Sequence, residues 1–393
     1  MKSKEIINLL GAVAYEVIRN HVSIDVAFKR VCKGKCARNL NEREYLYSLC
    51  RDFISNYVKL KCLVRKRRVS FKSLARLWLK LLNNEVTTEG LSTWCELSIN
   101  KWFFEKLTSL VGEEEAIEVV KAMNKRVWWL RVNTLLTNEE KVIKELEREG
   151  AELLIDKDYP YMLKLLKSPK PVRLLKPVKE FKVIPQDKAS AAVVESLNPE
   201  PNDVIVDLTA APGIKTSLIM MLTENKARVI AVDVSLKRIK IMKSLLRKLG
   251  VDLSKVELIL SDGVKFKLRS EVDKLLLDAP CSNSGAVSKD PALKVLISED
   301  KVRRHSILQK KLIVNAVKLS SYVVYSTCSL MPEEGEYVIE YVIESCGNIR
   351  LERPIKWAET GYKCVSKVWN LVSRLMPHKH GTEGFFVAKL IRD

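Results

Sequence analysis

The chain has 393 residues, 47% of them hydrophobic, which is enough to bury sizeable cores and too long for one small domain. Lysine and arginine total 68 against 48 aspartate and glutamate, and the net charge of +20 favours a polyanionic partner, most often nucleic acid. A lysine- and glutamate-rich, thermally adapted surface would explain many charges but not their imbalance.

No apolar run reaches bilayer length, and Met1-Lys2-Ser3-Lys4-Glu5 lacks a signal-peptide plan. A soluble, cytoplasmic chain without membrane contact is expected. Nine cysteines, scattered and odd in number, do not read as a disulfide framework. Cys32 and Cys36 have no second cysteine or histidine pair at zinc spacing, so no metal is expected.

Residues 1 to about 85 read as helical. Ile7, Leu10, Val13 and Val17 share one face; Leu46, Leu49, Cys50, Phe53 and Tyr57 share another, which makes Cys50 a core residue. A third helix starts at Phe71 with Leu74, Leu77, Trp78 and Leu81 inward. Between them Lys59, Lys61, Arg65, Lys66, Arg67, Arg68 and Lys72 form a basic cluster with no acidic residue from Lys59 to Arg76, a candidate phosphate-contact patch.

From about Leu91 the pattern changes. Helical pieces at Trp94 to Leu107 and Glu113 to Met123 lead into a strand at Val127 to Val132. Thr137 with Glu140 suggests a capping box for a helix from Asn138 to Glu149 that Gly150 closes. A strand at Ala151 to Ile155, a helix near Tyr161 to Lys167 and a strand at Val172 to Leu175 are predicted next. Pro169, Pro171, Pro177 and Pro185 mark a boundary near 175 to 182. The remainder alternates strand and helix as a parallel sheet requires, with strands at Val204 to Leu208, Arg228 to Val232, Val256 to Leu260, Lys274 to Leu277 and Tyr322 to Tyr325.

Two cysteine motifs follow strands: Leu277-Asp278-Ala279-Pro280-Cys281-Ser282 and Tyr325-Ser326-Thr327-Cys328-Ser329. Both should sit at the carboxyl ends of parallel strands, where open α/β sheets place their ligands. A free cysteine is most often a small buried hydrophobe, but the loop residues Ser282-Asn283-Ser284-Gly285 and Met331-Pro332 point instead to nucleophilic chemistry on an electron-poor ring.

The first predicted parallel strand ends in Asp207-Leu208-Thr209-Ala210-Ala211-Pro212-Gly213-Ile214-Lys215-Thr216, a small-residue turn opening a helix, where a ligand can approach the backbone. The dinucleotide fingerprint is absent. The next two strands end at Asp233, suited to ribose hydroxyls, and at Ser261-Asp262-Gly263, suited to an adenine amino group. Each aspartate alone is an ordinary cap or turn residue. Three such strand ends in order suggest an adenosine-bearing cofactor without a phosphate clamp, which points to S-adenosylmethionine.

These motifs, with Pro185-Gln186-Asp187-Lys188-Ala189-Ser190 before them and Pro377-His378-Lys379-His380-Gly381-Thr382-Glu383-Gly384-Phe385-Phe386 after them, closely resemble the RsmB/NSUN family of S-adenosylmethionine-dependent RNA cytosine-5 methyltransferases. Leu130-Arg131-Val132-Asn133-Thr134 is similar to the family's upstream RNA-binding extension. The resemblance covers about 91 to 393, and the first part is similar to the NusB-like domain of bacterial members. It implies an α/β chain in three parts: an all-helical RNA-binding domain (1–90), a small α+β, ferredoxin- or RRM-like extension (91–180) and a Rossmann-like catalytic domain with a doubly wound, mostly parallel sheet (181–393).

The resemblance further implies Cys328 as nucleophile, Cys281 as the residue that assists its release, and Asp278 and Lys215 at the target base, with Lys215 also favouring the thiolate. Thr209, Ala210, Ala211, Pro212, Gly213, Ile214, Lys215, Asp233, Arg238, Asp262 and Asp278 would line the cofactor site, while Gln186 and Asp187 organise their loop. The expected partner is rRNA or tRNA with a single-stranded or looped cytosine, and the expected state is a monomer. The sequence departs from the family pattern at Thr209, often cysteine, and at Ile214, often a second glycine. A basic RNA-binding factor that has kept the fold and lost turnover is the alternative.

Overall fold

The computed structural model describes residues 3–33, 36–64 and 68–392, so Arg65, Lys66 and Arg67 of the basic cluster lie outside the described residues. Two compact units emerge: Met1–Arg126 with Ala286–Lys301, and Val127–Gly285 with Val302–Asp393. This division differs from the expected 1–90, 91–180 and 181–393.

The first unit is helical. Helices Ser3–Asn20, Ile24–Cys32, Leu40–Ser55, Tyr57–Val64 and Phe71–Leu82 bury the predicted faces, with Leu10, Val13, Val17, Cys50, Phe53, Leu74 and Trp78 in one core. The Trp78 indole donates to Asp52 at 3.1 Å, so its only polar atom is satisfied inside that core. The piece expected as one helix from Trp94 to Leu107 is two, Thr93–Glu96 and Lys101–Val111, because Asn100 caps the second by accepting from the Phe103 amide. Segment 286–301 belongs here for a physical reason. Lys294, buried on the short helix Leu293–Leu296, donates to the Ser55 carbonyl and hydroxyl at 2.9 and 3.0 Å, and the Asn100 amide donates to the Lys294 carbonyl.

Two cysteine pairs correct the expectation of an unbridged chain: Cys32 bonds to Cys36, and Cys62 to Cys95. Helix packing brings Cys62 and Cys95 together, which cysteine spacing alone does not reveal. Among the described residues no helix is long and apolar enough to cross a membrane.

The second unit contains two sheets. The smaller has antiparallel strands β1 (Trp128–Val132), β2 (Glu152–Ile155), β3 (Met162–Lys167) and β4 (Val183–Pro185) in the order β2-β3-β1-β4. Residues 162–167, expected as helix, form β3, since pairing on both sides with β1 and β2 outweighs the weak strand preference of Met-Leu-Lys-Leu-Leu-Lys. Val172–Leu174 is a short 3₁₀ turn rather than a strand, because the surrounding prolines cannot donate to a ladder. The intervening helix, Glu139–Arg148, is capped by Asn138 rather than Thr137.

The larger sheet comprises β5 (Val204–Asp207), β6 (Arg228–Asp233), β7 (Val256–Leu260), β8 (Lys274–Asp278), β9 (Tyr322–Thr327), β10 (Ile349–Glu352), β11 (Ser373–Leu375) and β12 (Phe385–Arg392). Its main path runs β10-β12-β9-β8-β5-β6-β7, and β11 pairs with β12. Strands β5 to β9 are parallel, and β12 is antiparallel to β9. Their near-continuous Val, Ile and Leu content fits strands buried on both faces. The predicted parallel strands are all present. Since β9, β8, β5, β6 and β7 are neighbours, the loops leaving their carboxyl ends line one edge of the sheet.

Candidate active site

Cys281 lies just past β8 and Cys328 directly follows β9, two adjacent parallel strands. Their Sγ atoms are 3.2 Å apart. The Asn283 side-chain oxygen accepts from Cys328 at 2.9 Å and from Cys281 at 3.5 Å. Asn283 holds a left-handed φ of 60°, a conformation that asparagine tolerates better than most residues, and that turns its amide onto the sulfurs. Cys281 is buried, whereas Cys328 is partly exposed. The hydrogen bond with Cys328, and then burial, hold the Cys281 thiol well above the ordinary cysteine range, so it stays protonated at neutral pH.

The two cysteine loops are joined by their backbones. The Gly285 amide donates to the Cys328 carbonyl at 3.0 Å, and the Gly384 amide donates to the Gly285 carbonyl at 2.9 Å. A Cβ on Gly285 would collide with the Gly384 carbonyl oxygen, so only glycine permits this approach. The Asp187 carboxylate caps helix Lys188–Leu197 through the Ala189 amide and accepts from the Glu383 amide at 3.1 Å. It organises the loop, as expected for this residue.

Lys215 lies in the first turn of helix Ile214–Leu222, and its Nζ is 2.6 Å from the Asp278 carboxylate. Burial alone would push this amine down. The Asp278 charge and hydrogen bond, and the nearby Cys328, outweigh it and hold Lys215 protonated. The other Asp278 oxygen accepts from the Ser326 hydroxyl at 2.8 Å. Thr209 donates to the Asp278 carbonyl at 2.8 Å, which ties the turn after β5 to the end of β8 and gives this departure from the family pattern a structural role. Beneath the turn, burial pushes the Asp207 carboxyl up to about 6, while the Thr216 hydroxyl bond at 2.7 Å opposes the shift.

The residues expected to line a cofactor site follow the same sheet edge. Gly213 adopts φ 99°, and a Cβ there would meet the Met242 side chain at 2.7 Å. Ile214 has no positive φ and packs against the core, so the loss of a second glycine does not strain the turn. Its carbonyl accepts from Arg131, a fully buried arginine of β1 that also donates to Ser217 at 2.7 Å. Burial lowers Arg131 to about 9.

Asp233, at the end of β6, accepts from the Ser235 and Ala211 amides and pairs with Arg238 at 3.3 Å. Arg238 also donates to the Ala211 carbonyl, next to Pro212 in the turn. Asp262 follows β7, is exposed, and accepts from the Val264 amide at 3.0 Å. Lys215 and Arg238, two basic side chains of this edge, are thus engaged by aspartates. Such a donor set fits a neutral ribose and a cationic sulfonium better than a polyphosphate.

Lys215, Asp278, Cys281 and Cys328 therefore form one cluster, and Thr209 to Ile214 with Asp233, Arg238 and Asp262 continue it along the strand ends. Asn283, Ser326 and Ser329 stand in the sequence motifs without a role of their own, and Glu334 lies outside all of them. Buried Glu334 accepts from the Ser282 amide at 2.7 Å, from the Ser282 hydroxyl at 2.5 Å and from the Ser329 hydroxyl at 2.6 Å. An acidic pair directly after Met331-Pro332 was the available signal.

The model of the 16S rRNA methyltransferase RsmB/F family matches residues 194–391, about half of the chain. The chain belongs to this family. The ferredoxin-like domain of RsmF/B-like methyltransferases matches residues 99–173, which include β1, β2 and β3 of the smaller sheet. Among curated relatives, the 25S rRNA (cytosine-C(5))-methyltransferase nop2 of Schizosaccharomyces pombe is 32% identical over 308 residues, 74% of this chain and 50% of that protein. The tRNA (cytosine(49)-C(5))-methyltransferase of Pyrococcus abyssi is 35% identical over 220 residues, 53% of this chain and 70% of that one. The RsmB/F chain thus spans about half the length of its fission-yeast relative. The crystal structure of NSun6 from Pyrococcus horikoshii with SFG matches with a TM-score of 0.68 at 27% identity, over 75% of this chain and 98% of that one.

Proposed function

We propose that this protein methylates carbon 5 of cytosine in rRNA or tRNA, using S-adenosylmethionine, through a covalent bond to Cys328. The observation that carries the reading is the thiol pair, 3.2 Å apart, beside the Lys215–Asp278 pair at the ends of adjacent strands. The relatives named for rRNA and tRNA cytosine methylation, and the related structure that contains SFG, support it.

Cytosine carbon 5 is too weak a nucleophile to take a methyl group unaided. The Cys328 thiolate adds to carbon 6, and the displaced double-bond electrons make carbon 5 enamine-like. The Lys215 ammonium, held by Asp278, would meet the ring edge and stabilise the negative charge that develops at nitrogen 3. When bound, the cofactor supplies the methyl group from its sulfonium; Asp233, Arg238, Asp262 and the turn from Thr209 to Ile214 would hold it. For release, the carbon 5 proton leaves, the carbon 6–sulfur bond breaks and the ring double bond re-forms. The protonated Cys281 gives its proton to the departing sulfur and takes the carbon 5 proton in exchange, so it ends unchanged. The target base must be unstacked for this attack, which favours a looped or single-stranded cytosine.

Incubation with methyl-labelled cofactor and total RNA, with DNA in parallel, tests the reading; label in RNA cytosine alone is the expected result. No transfer to any RNA, with cofactor and RNA still bound, would favour the factor that has lost turnover. Asp233→Ala is expected to weaken cofactor binding by about 1.5 to 3 kcal/mol, the typical loss for a charged hydrogen-bond acceptor, with RNA affinity little changed. Calorimetry that finds unaltered cofactor affinity removes Asp233 from the site.

A further inference from the structure

The carboxylate of Glu334 touches both cysteine loops, although it lies outside every motif that suggested the chemistry. Its Oε1 accepts from the Ser282 amide at 2.7 Å and from Gln309 at 3.3 Å. Its Oε2 is shared: the Ser282 hydroxyl reaches it at 2.5 Å and the Ser329 hydroxyl at 2.6 Å. Ser282 follows Cys281 and Ser329 follows Cys328, so one oxygen atom links the residues next to the two sulfurs. The Glu334 carbonyl is engaged as well, accepting from Tyr325 at 2.9 Å and Thr327 at 3.1 Å, both on the strand that delivers Cys328. All these groups are fully buried.

A buried carboxylate is costly unless its hydrogen bonds are complete, and here neutral donors complete them. A packed hydrocarbon would hold the fold without that cost, so a carboxyl group bonded to both cysteine loops calls for another explanation. It also adds to the hold on the Cys281 proton, after the Cys328 hydrogen bond, burial and the Cys328 charge.

We propose that Glu334 is a positioning residue that sets the separation of the Cys281 and Cys328 sulfurs by clamping the serine beyond each. The clamp has two arms with separate duties. The Ser329 arm orients Cys328 for attack, and the Ser282 arm keeps Cys281 on the departing sulfur. This assignment of duties rests on the two-thiol reading of the reaction, whereas the clamp itself does not.

Its test therefore begins without RNA. The diazene oxidant diamide converts two thiols to a disulfide and is itself reduced to the hydrazine, so the rate of Cys281–Cys328 linkage reports their separation. In the wild-type protein the link should form rapidly. Ser329→Ala, Ser282→Ala and Glu334→Gln should each slow it by at least about tenfold, since displacements near 1 Å have effects of this order or larger. Cofactor affinity should change less than twofold, which shows that these variants remain folded. Linkage at the wild-type rate in both serine variants overturns the clamp.

With RNA and labelled cofactor, Ser329→Ala should slow the first methyl transfer, whereas Ser282→Ala should leave that step intact and slow RNA release. Equal slowing of both steps in both variants would make Glu334 a general structural residue and overturn the division of duties. Slowed linkage with no RNA adduct in any variant would uphold the clamp and count against the two-thiol reaction instead.

Discussion

Cys328→Ala is expected to lose methyl transfer by roughly 10⁴-fold or more while it still binds cofactor and RNA. Removal of a covalent nucleophile has effects of this size because no other group can take its place at the reacting atom. Cys328 is the more exposed sulfur of the pair, just past the end of β9 and near enough to Lys215 to raise that amine's affinity for a proton, which suits Cys328 to the proposed attack on an incoming ring. Its replacement deletes the hydrogen bond to Asn283 and the contact with Cys281, and touches none of the hydrogen bonds of the turn from Thr209 to Ile214. Single-turnover transfer of labelled methyl groups, with cofactor affinity measured on the same preparation, checks the result. Transfer within tenfold of wild type would return Cys328 to the role of a packing residue.

Lys215→Met should lower the single-turnover rate by about 10²- to 10³-fold, the usual effect of removing one preorganised donor from developing charge. Lys215 stays protonated at neutral pH, because Asp278 outweighs burial, and it is the cation paired with that carboxylate at 2.6 Å. Without it Asp278 would face the ring with only the Ser326 hydroxyl beside it. RNA affinity should change little, since one phosphate-independent contact is lost. A rate reduced less than tenfold would mean that Lys215 serves the cofactor turn alone.

The parallel half of the larger sheet was legible in the sequence because β5 to β9 are short apolar runs that end in polar turns. Their carboxyl ends collected nearly every residue to which the proposed chemistry is assigned. The antiparallel half was not, since β10, β11 and β12 are defined by pairing with one another and with β9 rather than by a pattern of their own. Tyr161 to Lys167 misled for a related reason: its leucines and lysines suit a helix, and only the neighbours β1 and β2 make it a strand. The thiol pair could be named but its contact could not. Cys281 and Cys328 are 47 residues apart, and their approach depends on glycines at 285 and 384 that let three loops close together. Glu334 escaped notice because its carboxylate serves Ser282, 52 positions away, as well as nearby Ser329. The return of segment 286–301 to the helical unit depends on Lys294 bonding to Ser55, which no local pattern announces.

The division of labour between the two cysteines is the central claim, and intact-mass spectrometry of Cys281→Ala incubated with RNA and cofactor tests it most directly. Cys281→Ala should transfer one methyl group and then stall, because the departing Cys328 sulfur has lost the thiol 3.2 Å away that supplies its proton. The predicted result is a protein heavier by one methylated, RNase-trimmed RNA fragment attached at Cys328, with the adduct absent from the Cys281→Ala, Cys328→Ala double variant. An adduct that accumulates in Cys328→Ala instead, attached at Cys281, would contradict the account and exchange the roles of the two residues.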